Sequence, residues 1–274
     1  MNSATDPVGG IVVINLDTRT DRWAAFEQEV SPLFPNFPIS RLSAVHGITL
    51  EGYGQRPWFR GRERDRTWAG RAGCVLSHRK ALELALESDW EFVLILEDDV
   101  EAVADVQKLF PEVLKQLHRV QWGACYLGYT NPRGPARTLG SVSESLTLQQ
   151  VYACSSTHAF LVRGVEIKRL LAYLPTEEDV WLWLSRHRAI DAWYSRHLSK
   201  VMTVLALNQS IMVQKQSPSD ITGRSFEPPH LTCIPPSLVL ARGFDWRFKW
   251  SSVIASAGAF FDRLKAIIKQ LRGF

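Results

Sequence analysis

Phe92-Val93-Leu94-Ile95-Leu96-Glu97-Asp98-Asp99 is an unbroken apolar run that ends, with no spacer, in three acids. The run is short, aliphatic and bounded by polar residues, the pattern of a strand buried on both faces of a sheet. Ligands of open α/β sheets bind outside the carboxyl ends of the strands, where Glu97, Asp98 and Asp99 fall. Carboxylates crowded together raise one another's pKa unless a cation joins them. Hard oxygen donors of this kind suit Mg²⁺ or Mn²⁺, which keep several waters and are commonly completed by substrate phosphates. The plainer alternative is a solvated turn carrying helix-capping acids.

Working outward, Gly9 to Leu16 reads as an opening strand, Asp21 to Val30 as a helix stopped before Pro32, and Ile39 to Val45 as a second strand. The stretch from Gly52 to Gly73, rich in Gly, Arg and aromatics, is expected to be a mobile loop, and Gly73 to Leu86 a helix. Beyond the acids the pattern predicts a helix over Leu109 to Val120, a short strand over Ala124 to Leu127 and a loop over Asn131 to Ser145. Paired strands follow over Val151 to Val162, helices over Ile167 to Tyr173 and Ile190 to Leu198, and closing strands over Val201 to Leu207 and Ser210 to Gln214. Strands alternating with helices predict an α/β fold with a mixed, mainly parallel central sheet. After Ile221 the pattern dissolves around Pro228-Pro229 and Pro235-Pro236, then recovers as a basic amphipathic helix. The expected division is one domain over residues 1–241 and a C-terminal tail over 242–274.

The 274 residues, 46% hydrophobic and 22% charged, exclude wholesale disorder and a multi-span membrane protein. Four scattered cysteines give no zinc or redox motif. The formal charge is +4, yet from Arg242 onward there are seven basic and two acidic residues, so the body is nearly neutral. That distribution argues against a nucleic-acid partner and for an anionic surface met by the tail. In the tail, Val253, Ile254, Ala257, Phe260, Phe261, Leu264, Ile267, Ile268 and Leu271 recur at helical spacing among Arg263, Lys265, Lys269 and Arg272. Such a helix lies in a membrane interface, on its own domain or on a second subunit. The first ten residues carry neither a basic n-region nor an apolar h-region, so a cytoplasmic location is expected.

Gly73-Cys74-Val75-Leu76-Ser77-His78 is expected to open a helix whose free N–H groups favour an anion, and Asn15, Arg19 and Arg22 follow the first strand, where arginine could pair with phosphate or with surface acids. Taken in order, Ile14-Asn15-Leu16 with Arg19, Asp21 and Arg22, Ala44-Val45-His46-Gly47, Gly73-Cys74 with Leu76-Ser77-His78, and Leu94 to Asp99 resemble glycosyltransferase family 25. His158 to Val162, Ile190-Asp191, Val213-Gln214 and Ser219-Asp220-Ile221 continue the resemblance, which spans roughly residues 11–223. His46 and Ala189 depart from the residues the family commonly carries there.

The resemblance implies a GT-A-like (Rossmann-like) fold, a UDP-sugar donor, UDP-galactose by expectation, a divalent metal and inversion at the anomeric carbon. It implies that Glu97 and Asp99 hold the metal, with Asp98 beside them, and that Asn15, Arg19, Arg22, Val45, Ser77 and His78 line the donor side. Inversion requires a base for the acceptor hydroxyl, and Asp191 is the first choice, ahead of Glu177, Glu178 and Asp179. A purely structural Asp191, as the N-terminal acid of a helix, is the competing reading. Gln214 either reaches the metal or a phosphate or is an ordinary buried amide. Trp58, Phe59, Arg60, Arg62, Arg64, Arg66 and Trp68 are expected to close over the donor diphosphate or an anionic acceptor.

The expected function is therefore a metal-dependent inverting hexosyltransferase acting on a cell-surface glycan or lipopolysaccharide precursor, cytoplasmic and peripheral to the membrane. A metal-dependent nucleotidyltransferase and a catalytically silent nucleotide-sugar-binding protein are the alternatives.

Overall fold

The computed structural model describes residues 9–62, 64–215 and 232–271. The Ser219-Asp220-Ile221 motif lies outside the described residues. Strand β1 (Gly10–Asn15) pairs in parallel with β2 (Ile39–Ser43) on one side and β3 (Phe92–Glu97) on the other. Helix α1 (Thr20–Glu29) crosses from β1 toward β2, and α2 (Arg64–Glu87) precedes β3. After the acids come a short strand β4 (Val100–Ala102) and α3 (Val106–Leu117), N-capped by Asp105, whose side chain accepts from the Lys108 N–H. Two long strands follow, β5 (Ala124–Ser141) and β6 (Thr147–Arg163). Then come α4 (Gly164–Leu171), α5 (Val180–His187), α6 (Ile190–Trp193) running into a π-turn at Tyr194–Leu198, and α7 (Ser199–Val201). Strands β7 (Val204–Leu207) and β8 (Met212–Gln214) and the long helix α8 (Phe244–Leu271) complete the chain.

The central sheet has the order β2-β1-β3-β6-β5-β7. It is parallel through β2, β1 and β3 and again at β5–β7, and antiparallel where β6 inserts beside β3, β5 and β7. The expected α/β architecture with a mixed sheet is thus present. Alternation along the strands divides the core in two. Val12, Ile14, Val93 and Ile95 face α2 with Val75, Leu76 and Leu82, while Ile11, Val13, Leu94 and Leu96 face α1 and α3 with Phe26 and Phe110.

Three expectations change. Helix α2 begins at Arg64, so Gly73 lies inside it and no helix N-terminus faces a phosphate there. Gly73 is required by packing rather than by an end: a Cβ on it would stand 2.2 Å from the Val45 carbonyl oxygen, and one on Gly47 would stand 1.7 Å from the Ala69 carbonyl oxygen. In the Asn131 to Ser145 segment, expected as a loop, residues 131–141 form the outer half of β5, paired with β6 through several register shifts, and only 142–145 remain a connection between the two strands. Bulges and a positive φ of 70° at Gly134 accommodate its Gly and Pro residues. Strand β8 pairs with β4 in a separate two-stranded ribbon instead of closing the main sheet.

The aromatic loop before α2 is pinned. Phe59 is buried edge-on between Tyr53 and Trp181, at ring distances of 5.1 and 4.7 Å, and the Asp65 carboxylate accepts from the N–H groups of Arg60 and Arg62. Arg66 and Trp68 belong to α2. The division proposed at residue 242 falls just before α8, which docks back on the domain: Phe248 meets Tyr152 at 5.1 Å and the Tyr152 hydroxyl donates to the Ser251 carbonyl.

Candidate active site at the end of strand β3

Strand alternation separates the acids. Glu97, in line with Val93 and Ile95, turns toward α2, while Asp98 turns toward α1. Asp98 is held by two donors, Asn15 Nδ2 at 2.7 Å and Arg22 Nη1 at 2.9 Å. Asn15 is fixed in turn by Arg41, whose Nε and Nη2 donate to its side-chain oxygen at 2.9 and 2.7 Å. Arg22 also reaches Asp99 Oδ2 at 3.3 Å. Arg19 forms a two-pronged pair with Asp21.

Glu97 accepts from the Thr157 hydroxyl at 2.8 Å and from Gln214 Nε2 at 3.1 Å. His78 Nε2 lies 3.7 Å from Glu97 Oε1, too far for a hydrogen bond, so that contact is electrostatic. Burial pushes the Glu97 pKa up, but His78, the charge of His158 and the Thr157 hydroxyl outweigh it and leave the carboxyl below its ordinary value. Asp98 is raised, burial exceeding the help of Asn15 and Arg22. Asp99 is raised to about 7, first by burial and then by the charge of Glu97, with Arg22 only partly compensating.

One oxygen of Asp99, Oδ1, is buried and accepts no hydrogen bond, and both ring nitrogens of His78 are likewise buried without a hydrogen-bond partner. A buried, unpartnered oxygen on a carboxylate next to two further acids is costly and is what a divalent cation would relieve. Asp99 and Glu97, with Gln214 bridging toward both, therefore fit such an ion. The β4–β8 pairing, Val100 opposite Gln214, and the Lys215 N–H bonded to the Asp99 carbonyl at 2.7 Å bring Gln214 to the triplet. Cys74, His78 and Glu97 also place one ligand atom each within 4.8 Å of one another.

Asp191 belongs to the same neighbourhood. Burial raises the Cys74 thiol well above its usual range, and the charges of Glu97 and Asp191 both add to the effect. Asp191 also bears on Arg71 of α2. It sits in the first turn of α6, where its Oδ1 accepts from the Ala192 N–H. Glu177, Glu178 and Asp179 lie instead in the turn before α5, and Glu177 pairs with Lys80.

Val45 and Ser77 are used on each other: the Val45 N–H donates to Ser77 Oγ at 2.8 Å, and that hydroxyl donates to the Gly73 carbonyl at 2.7 Å. They clamp the segment after β2 onto α2. Thr157 and Arg41 are site residues that the sequence reading passed over, and Cys74 entered it only as part of the Gly73-Cys74 motif, with no role of its own. Only the β6 register and the β1–β2 pairing bring the first two to the acids, so spacing carried no signal for them. A groove bordered by Trp122, Gln150, Lys200 and Phe248 lies at the opposite end of the sheet and includes none of the site's acids.

Residues 9–129 match the family described as glycosyltransferase family 25 (LPS biosynthesis protein). That match bears out the resemblance read from the sequence and supports a glycosyltransferase. No curated protein matches the chain. Similar solved structures include A197 from STIV, 11% identical with a TM-score of 0.38, covering 83% of this chain and 97% of that one. Another is a glycosyltransferase involved in the glycosylation of the major capsid of PBCV-1, 12% identical, TM-score 0.31, covering 65% and 66%. A third is mannose-1-phosphate geranyltransferase from Thermus thermophilus, 14% identical, TM-score 0.36, covering 73% of each chain.

Proposed function

We propose, from the premise that residues 9–129 match the family 25 glycosyltransferases, that the protein transfers a hexose, galactose by first expectation, from a UDP-sugar to a hydroxyl of a glycan or glycolipid precursor, with inversion. The acceptor class and the basic tail support a site of action at the cytoplasmic face of a membrane. The observation that carries the reading is Asp99: a half-buried carboxylate whose one buried oxygen is unpartnered, at the carboxyl end of a core strand, with its pKa raised to about 7.

Asp99 and Glu97 would hold Mn²⁺ or Mg²⁺, which when bound supplies positive charge to the leaving diphosphate. Asp98, locked by Asn15 and Arg22, fixes the turn that presents Asp99. Arg22, already on Asp98 and Asp99, is the guanidinium nearest the acids and would share its charge with a phosphate oxygen, whereas Arg19 is engaged by Asp21. Asp191, the acid that shares Cys74 with Glu97, takes the proton of the acceptor hydroxyl as it attacks the anomeric carbon. His78 and Thr157 hold Glu97 ionised beneath the site.

The test is a release assay over several nucleotide sugars, with and without Mn²⁺, scoring free UDP. Asp99→Ala should lower turnover by about 10³-fold and abolish the Mn²⁺ response. Asp191→Asn should lower kcat by about 10²- to 10⁴-fold while leaving donor binding near wild type. Pyrophosphate in place of UDP would indicate nucleotidyl transfer. Near wild-type turnover of Asp191→Asn on a true acceptor would remove that residue from the role of base.

A further inference from the structure

Helix α8 is amphipathic in the sense opposite to that of an ordinary packed helix. Its inward side is built of Phe244, Phe248, Ser252, Ala255 and Ala259, spaced three or four residues apart, with Phe244 and Ala259 buried. That side is tied down by the Phe248–Tyr152 ring contact, by Arg137 over the Phe244 ring at 4.6 Å, and by Lys200 Nζ donating to Ser256 Oγ at 2.8 Å. The larger apolar residues lie on the other side. Trp246, Trp250, Val253, Phe260, Phe261 and Leu264 are between 43% and 63% exposed. At the helical repeat they fall within an arc of about 100°, centred opposite the packing side.

The flanks of this stripe are mainly basic, with an exposed acid, Asp245, which pairs with Arg137 of the domain at 3.9 Å. Arg247 and Lys265 lie along one margin, Lys249 and Arg263 along the other, all exposed. Arg247 stacks on Trp246 at 5.4 Å. Arg263 continues into a cationic surface of the domain, where Arg186, Arg196 and Lys200 stand near His187 and His197. Burial, the neighbouring cations and, for His187, the adjacent His197 hold both imidazoles down to about 4, so the patch keeps its positive sign through its arginines and lysine at neutral pH.

We propose that the outward face of α8 is a docking surface for an anionic phospholipid bilayer, with the aromatic and aliphatic stripe entering the acyl boundary and the basic margins reaching the headgroups. Lysine and arginine stems run along apolar surface while their charges stay in the polar layer, the arrangement of an interfacial helix. Among the described residues no helix is long and apolar enough to cross a membrane, so α8 lies on the bilayer rather than through it. A second copy of the chain is the poorer occupant. Two-fold pairing of the stripes would bring the basic margins of two tails together, seven basic against two acidic residues in each.

The experiment is flotation of the full chain with phosphatidylcholine vesicles, with and without phosphatidylglycerol, in low and high salt. Neither a nucleotide sugar nor an acceptor is present, so failure here leaves the glycosyl-transfer reading untouched. The wild type should bind the anionic vesicles at least roughly tenfold more tightly than the neutral ones and lose that advantage in high salt. Trp250→Ser/Phe260→Ser/Leu264→Ser should bind roughly 100-fold more weakly with an unchanged melting temperature, since the substituted side chains face solvent. Arg247→Gln/Lys265→Gln should lose roughly tenfold on anionic vesicles and little on neutral ones. Equal binding of wild type and the triple variant would overturn the proposal. So would a dimer in solution that the triple variant abolishes without any vesicle binding by the wild type.

Discussion

Asn15 spends every polar group it has. Its Nδ2 donates to the Arg19 carbonyl and to Asp98, and its side-chain oxygen accepts twice from Arg41, all at a residue that is 1% exposed. Asn15→Ala removes these partners at once and leaves a buried carboxylate short of one donor. The expected loss of stability is about 3 kcal/mol, read as a lower urea midpoint at constant m-value. Asn15→Asp should cost more, because it sets a second anion against Asp98 in the same pocket. The position was legible in the sequence as a polar residue at the end of the first strand, but its partner Arg41 was not: the two are 26 residues apart and meet through the parallel register of Val13 with Arg41 and Asn15 with Ser43.

At the scale of elements, the junction of α2 with the segment after β2 is a backbone-to-backbone contact. Gly47 and Gly73 leave no room for a Cβ, and Ser77 bridges Val45 to Gly73. Gly73→Ala would place a methyl group 2.2 Å from a carbonyl oxygen that cannot swing away. We expect about 3 kcal/mol of destabilisation, read as a lower urea midpoint of the purified variant. Two motifs that the sequence suggested for donor contact thus have a demonstrable packing use. The helix start was misplaced for a related reason: glycine within a helix looks like a boundary in sequence, and only the close approach of another backbone explains its presence inside α2. The same holds for β5, whose Gly, Pro and Ser residues mimic a loop although β6 supplies the pairing that keeps the strand extended.

For the whole molecule, α5, the π-turn and α8 converge on His187 and His197, whose rings lie 5.5 Å apart. Burial lowers both to about 4 from an ordinary 6.5, joined at His187 by the charges of His197, Arg263, Arg186 and Arg196 and at His197 by those of Lys200, Arg263 and Arg196. Between those values the unfolded chain binds more protons than the native one, so stability must fall as pH drops from about 6.5 toward 4. The His187→Gln/His197→Gln variant should show a flatter melting temperature over that interval, and a wild-type curve as flat as the variant's would refute the assignment. Because both imidazoles are neutral at pH 7, vesicle binding through α8 should not depend on them there.

The sequence by itself determined the strands that build the sheet interior, the acid triplet at the end of one of them, and the uneven charge that isolates a basic tail. These features are local: an apolar run and the residues adjoining it carry their meaning in their own order. Tertiary structure alone decided which acid turns to which face, that Asp98 is locked by Asn15 and Arg22 while one Asp99 oxygen is left without a hydrogen bond, and that Asp191 and Glu97 both bear on Cys74. It also decided that α8 shows its apolar stripe outward. Each depends on strand register, helix rotation and burial, which are set by contacts between residues far apart in the chain.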